Sequence, residues 1–259
     1  MLDLIICEFQ KLKRKKLFRA AFVTTFIVPV LYSLILSSPN LDNMMSVIRE
    51  ENGFMILIPL LVVLAANLFF EEHDSDTLKN LMCVPVKKSR LAIAKLLTLL
   101  LFTVIYQLVG GGIAVILAAI SGAALNGWGM QMLLTLATGL LVWCAAMPCV
   151  ALVVWCNKSY IISVIIAFAY MTLGYLSHIS DTFVMVPLGL NVATFLPVPM
   201  IFRWLYQFHS MEGAGGELLA FYNRFSPYFV PTSVVFAVLL AEAAVFMALM
   251  TRIYQRQKV

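Results

Sequence analysis

Four kinds of side chain in this sequence could carry chemistry. They are the adjacent carboxylates Glu71 and Glu72, a carboxylate at Glu242 inside an apolar run, three histidines and five cysteines. Paired carboxylates suit acid–base or metal-assisted hydrolysis. An EExxxR pattern would suit proteolysis within a membrane, but Asp76 stands where its Arg belongs. His73, His178 and His209 are far apart, and His73 is expected on the opposite membrane side from the other two. Cys7, Cys83, Cys144, Cys149 and Cys156 are odd in number and form no CxxC pair, which favours neither a disulfide framework nor a zinc site. They read as small apolar fillers. Gly110-Gly111-Gly112 follows no strand, and no GxxxxGK[ST] occurs, so the triplet reads as close helix packing or a bend, not a phosphate loop. No catalytic constellation and no metal site is expected.

Two polar residues inside apolar runs remain as candidates. Glu242 is the one carboxylate expected at membrane depth, where an ionisable group is a functional candidate by default. It would either take part in transport or face the bundle, protonated or paired with an amide. A proton-coupled secondary carrier built on Glu242 is therefore one function class, although such carriers usually need several such groups. Asn67 is expected to hydrogen-bond a neighbouring helix.

The elements that would hold these residues follow from composition. The chain has 259 residues, 62% of them hydrophobic and only 12% charged. An average globular domain is about 25% charged, so the fold class is an all-α polytopic membrane protein. Residues 2–16 place Leu2, Ile5, Ile6, Phe9 and Leu12 at helical spacing before a basic cluster, which predicts an interfacial amphipathic helix. No cleavable signal peptide is expected ahead of the first apolar stretch. Six spans are predicted at 17–37, 54–70, 96–120, 131–155, 160–176 and 232–251. Pro29, Pro59 and Pro148 are expected to kink or break three of them. A polar loop is expected between the first two spans, over SPNLDNMMSVIREENG. Residues 177–231 are apolar but interrupted by prolines and glycines, and predict an outer re-entrant or interfacial segment. Trp204, Tyr206, Tyr222 and Tyr228 would sit at headgroup level. Residues 183–206 are too broken to be read as a seventh span.

One long charged stretch interrupts the apolar interior, EEHDSDTLKNLMCVPVKKSRLAIAK over 71–95. It cannot sit in hydrocarbon and predicts a polar hairpin joining two spans. Six spans put both termini and this hairpin on one side, with all the Lys and Arg residues except Arg49, Arg203 and Arg224. The positive-inside rule makes that side the cytoplasm. The net charge of +5 then reports topology and contact with anionic lipid, not nucleic acid.

The hairpin resembles the first cytoplasmic loop of ABC-2-type permeases. That family's pattern is an acidic residue, a Thr-Leu helix, a Pro, a basic residue and a Lys opening the third span. Here these read as Glu71 or Glu72, Thr77-Leu78 with Leu81, Pro85, Arg90 and Lys95. The six spans, the amphipathic N-terminal helix and the interrupted outer segment are similar too. The short length and the opening CEFQKLKRKK are most similar to bacterial export permeases that confer bacitracin or lantibiotic resistance. The resemblance implies a bacterial plasma-membrane permease that binds no cofactor itself. Two ABC ATPase subunits would hold ATP and magnesium, and a second permease, identical or related, would complete the pathway. Residues 77–82 would form a coupling helix, with Leu78, Leu81 and Met82 as anchors and Asp76, Lys79 and the neighbouring carboxylates setting register by charge. Cargo-binding residues are not assigned. A complex that extracts a peptide antibiotic or its lipid target from the outer leaflet, and a membrane sensor or scaffold, are the other readings.

Overall fold

The computed structural model describes residues 1–35, 40–74, 87–156, 160–211 and 215–256. Six helices among the described residues are long and apolar enough to cross a membrane. An amphipathic helix α1 (Leu2–Arg14) precedes the first of them, α2 (Lys16–Ile35). The second crossing unit runs continuously through α3 (Leu41–Val47), a π-helical stretch (Ile48–Leu57) and α4 (Ile58–Asp74). Then come α5 (Lys88–Ile120), α6 (Trp128–Cys156) and α7 (Tyr160–Ile179). Short helices α8 (Asp181–Val184), α9 (Val192–Phe195), α10 (Pro197–Leu205) and α11 (Gly216–Phe225) form a cap, and α12 (Thr232–Arg256) returns. Among the described residues none of the helices α8 to α11 is long and apolar enough to cross a membrane.

The second crossing unit and α6 form the middle of the bundle, with 78% and 72% of their apolar windows buried. For α2, α7 and α12 the share is 22%, 17% and 22%. Those three carry the exposed apolar faces, including Leu34, Ile161, Leu173 and Val245, which is the surface hydrocarbon requires.

The second crossing unit departs from expectation. The residues read as a polar loop are helical from Leu41, and Asp42, Arg49 and Asn52 point into protein. Their hydrogen-bond partners lie on α5, α6 and the cap, so each of these polar side chains has a partner inside the protein, although Arg49 Nε and Asn52 Nδ2 are buried without one. Pro59 does not break the unit. Its ring would crowd the carbonyl four residues back in a regular helix, and here the wider π turn ends at Leu57, just before it. Likewise α5 begins at Lys88, eight residues before the expected span.

The glycine triplet packs as expected at two of its three positions. A Cβ on Gly110 would come 3.3 Å from Ile48, and one on Gly111 would come 2.8 Å from Met132 Sδ, whereas Gly112 faces open space. Of the four aromatic residues expected at headgroup level, Trp204 and Tyr206 are buried. Trp204 donates to Thr232 Oγ1 at 3.0 Å. Tyr206 stacks within a cluster of Phe202, Phe221, Tyr222, Phe225 and Phe229. Buried Arg203 fastens the cap to itself, donating to Val186 O and Tyr228 O, both at 2.8 Å. The cap thus has a core of its own, and that core takes the aromatic rings.

Candidate functional site: the anchored feet of the charged loop

The expected coupling residues fall in two groups. Asp76, Thr77, Leu78, Lys79, Leu81, Met82 and Pro85 lie outside the described residues. Glu71 and Glu72 belong to the last turns of α4, and Arg90 is exposed on the first turn of α5. The structure therefore describes the two feet of the loop, α4 ending at Asp74 and α5 starting at Lys88.

Each foot carries charge of the sign that its own helix end disfavours. The C-terminal end of α4 has Glu71, Glu72 and Asp74, while the N-terminal end of α5 has Lys88 and Arg90. A helix dipole favours the opposite arrangement.

What holds the feet together is Lys95. Its side chain is completely buried, although it belongs to a residue type almost never found fully buried unless paired. Its ammonium donates to the Leu68 carbonyl near the end of α4. It lies 3.9 Å from Glu8 Oε2 on α1 and 5.2 Å from the centre of the Phe69 ring. Phe69 in turn meets Tyr254 of α12 edge-on, ring centres 5.5 Å apart. Thr98, one turn beyond Lys95, has one hydroxyl proton for two acceptors, Ala94 O at 2.9 Å and Ile5 O of α1 at 3.4 Å. Three elements, α1, α4 and α5, meet at this ammonium, and α12 joins them through Phe69.

Glu8 was not legible as a site residue. It is 2% exposed and pairs with Lys11 at 2.5 Å. A signal was present, since Ile5, Glu8, Phe9 and Leu12 share one helical face and an acid there needs a buried cation. That face of α1 packs onto α5. Lys13 and Arg14 of α1 and Lys16 and Arg19 of α2 are exposed around the turn between the two helices.

A second polar network lies at the other end of the bundle. Gln131 of α6 stands between Asp42 and Arg49, donating to the carboxylate and accepting from the guanidinium. This is the only amide orientation that satisfies both. The second oxygen of Asp42 accepts from the Ser210 backbone at 2.9 Å, tying the cap to α3. Tyr106 donates to Asn52 Oδ1 at 2.7 Å and lies 2.9 Å from Thr24 Oγ1. His209 Nε2 approaches Glu50 Oε1 to 2.9 Å, off the line of a hydrogen bond. Burial, with Arg49 adding to it against an opposing Asp42, pushes the His209 imidazole down to about 4. With Arg203 in the cap and exposed Arg224 paired to Asp181 at 3.0 Å, the three arginines set apart by the sequence all lie away from the termini.

The two intramembrane candidates part company. Asn67 donates to Val63 O of its own helix at 3.1 Å and not to a neighbouring helix, as was expected. Its amide is close enough to the preceding turn to be satisfied there. Glu242 is half-buried and has no hydrogen bond or ion pair among the described residues. It lines an open apolar groove instead. No cluster of three metal-ligating side chains occurs among the described residues, and Cys7, Cys144, Cys149 and Cys156 are free thiols.

A family model described as ABC-2 family transporter protein matches residues 4–174, from α1 through most of α7. No curated protein matches the chain.

Proposed function

The chain belongs to the ABC-2 transporter family, and from that premise we propose that it is the permease subunit of an ATP-driven exporter. Its cargo is a peptide antibiotic of the bacitracin or lantibiotic kind, or another amphipathic compound, removed from the membrane. An ABC ATPase is the partner that family membership implies. In this reading two ATPase copies hold ATP and magnesium, two permeases share one pathway, and the chain binds no cofactor. Both termini and the charged loop face the cytoplasm of a bacterial cell, because the basic residues concentrate there.

The coupling helix of residues 77–82 seats in a groove of the ATPase, with Leu78, Leu81 and Met82 as apolar anchors. Asp76, Lys79 and the carboxylates Glu71 and Glu72 set its register. ATP-driven closure pushes two such loops together and switches the permeases between inward- and outward-facing states. The observation that supports this route is the Lys95 junction. A push on either foot of the loop meets a joint that also holds α1 and α12, so the force reaches most of the bundle.

The test is growth. Bacteria expressing this chain with its ATPase should tolerate more bacitracin or lantibiotic than cells carrying the Leu78→Asp/Leu81→Asp chain at equal membrane levels. Equal tolerance across a panel of peptide antibiotics and cationic amphiphiles would overturn the export reading.

A further inference from the structure

Beyond the residues matched to the family, the face of α12 carries a groove of about 450 Å³ with one polar side chain on it. Ala237 and Ala241, one helical turn apart, make its shallow floor, and both are exposed. Phe246 closes one end, and Phe195 of α9 reaches in from the cap. Glu242 lies beside that floor, about 15 Å along α12 from its start at Thr232 at about 1.5 Å per residue. The depth puts the carboxylate below the headgroups, inside hydrocarbon.

Volume and lining match a ligand site. Pockets for drug-sized molecules enclose about 300–1,000 Å³, are mostly apolar, and fix orientation with a few polar groups. Here the polar complement is a single carboxylate without a partner among the described residues. A carboxylate in hydrocarbon keeps its charge only beside a cation. None of the described Lys or Arg residues is recorded in contact with it. Empty, the groove holds the carboxyl in its protonated form; an occupant that carries a cation would let it ionise.

We propose that this groove binds an amphipathic monocation taken from the bilayer, with its cationic centre against Glu242 and its apolar body over Ala237, Ala241 and Phe246. The opening of the groove onto exposed Leu240 and Val245 gives entry from the lipid side. Phe195 makes the route continuous with the cap, at the membrane face away from the termini. The inference gives the export reading a cargo class and a binding residue. It is tested by equilibrium binding alone, so its failure would leave coupling to an ATPase standing.

The full chain is placed in phosphatidylcholine nanodiscs and titrated with tetraphenylphosphonium, with the isosteric anion tetraphenylborate as control. The expected result is one saturable cation site per chain and no saturable anion site. Glu242→Gln should weaken cation binding at least tenfold, and Ala241→Phe, which fills the floor but keeps the carboxylate, should abolish it. Helix content and thermal midpoint of both variants confirm that they fold. Added phosphatidylethanolamine competing for the site would identify a lipid ammonium as the resident cation. Failure to compete would leave a free amphiphile in that role, and both results support a cation site. Unchanged affinity in Glu242→Gln, or equal binding of the anion, would overturn the proposal. So would a Glu242→Gln chain that binds the cation normally but loses self-association, because the groove would then belong to a second copy.

Discussion

Lys95 donates its ammonium to the carbonyl of Leu68, joining the two helices that enter and leave the charged loop. The bond is buried, and the counter-charge comes from Glu8 on a third helix. Lys95→Met should therefore lower stability by about 1–3 kcal/mol, since the Leu68 carbonyl loses its side-chain donor and the buried Glu8 carboxylate keeps Lys11 alone. Glu8→Gln should cost less, because the Leu68 carbonyl still accepts from Lys95. The double variant should be less destabilised than the sum of the two, by about 1 kcal/mol or more. Thermal or denaturant unfolding of the four proteins in one detergent measures this, and strict additivity would show that Glu8 and Lys95 do not interact.

At the opposite end, Gln131 is the sole bridge recorded between Asp42 and Arg49. Gln131→Leu removes a donor and an acceptor at once and leaves the buried guanidinium without that hydrogen bond, with only the charges of Glu50 and Asp42 near it. A loss of about 2–4 kcal/mol is expected. Because Asp42 also holds the Ser210 backbone, the same change should raise amide exchange in the cap near 209–211. Protection unchanged at those amides would separate the network from the cap.

The glycines give a contrast that needs no charge. A Cβ on Gly174 would come 2.9 Å from Val198 Cγ2, a stiff branched side chain of the cap helix α10, while one on Gly112 meets nothing within 4 Å. Gly174→Ala should cost about 1–3 kcal/mol. Gly112→Ala should leave stability unchanged or raise it by up to about 1 kcal/mol. Melting curves of the two variants decide this, and equal effects would contradict the α7–α10 packing.

Acid should loosen the cap through His209. An imidazole free of the fold takes up a proton near pH 6.5, whereas the folded one does so only near pH 4. Between these values the unfolded state binds more protons, so stability falls as pH drops through that window. The groups facing His209 are Glu50 at 2.9 Å and, through charge, Arg49 and Asp42. Unfolding at pH 7 and pH 5 reads this as a difference between two proteins: the drop to pH 5 should cost the native chain roughly 2 kcal/mol more than it costs His209→Gln. A variant with the native pH dependence would place the titrating group elsewhere.

The six crossing helices were legible because hydrocarbon imposes a length and a composition that few other segments meet. The start of the second was not. Asp42, Arg49, Glu50 and Asn52 look like a solvated loop until Gln131, Tyr106 and Ser210 are seen beside them, and those partners stand 54 to 168 positions away along the chain. Trp204 and Tyr206 misled for a similar reason. Aromatic rings near a membrane end suit headgroups equally well until a cap with its own core is present to bury them. Lys95 was legible as a residue that matters, but its partner Glu8 was hidden within a helix read only for its amphipathic face. Of the loop between the feet, residues 75–86, the functional reading rests on sequence alone.

That loop is where the account is most directly tested. The native chain and its Leu78→Asp/Leu81→Asp form, each with an affinity tag, are solubilised from the membranes of the source cell in mild detergent and captured. The account predicts that an ABC ATPase is recovered with the native chain and absent from the variant, while both permeases keep the same helix content. An ATPase recovered equally with both would move the contact away from residues 77–82. Recovery of none with either would contradict the claim that this permease is driven by ATP.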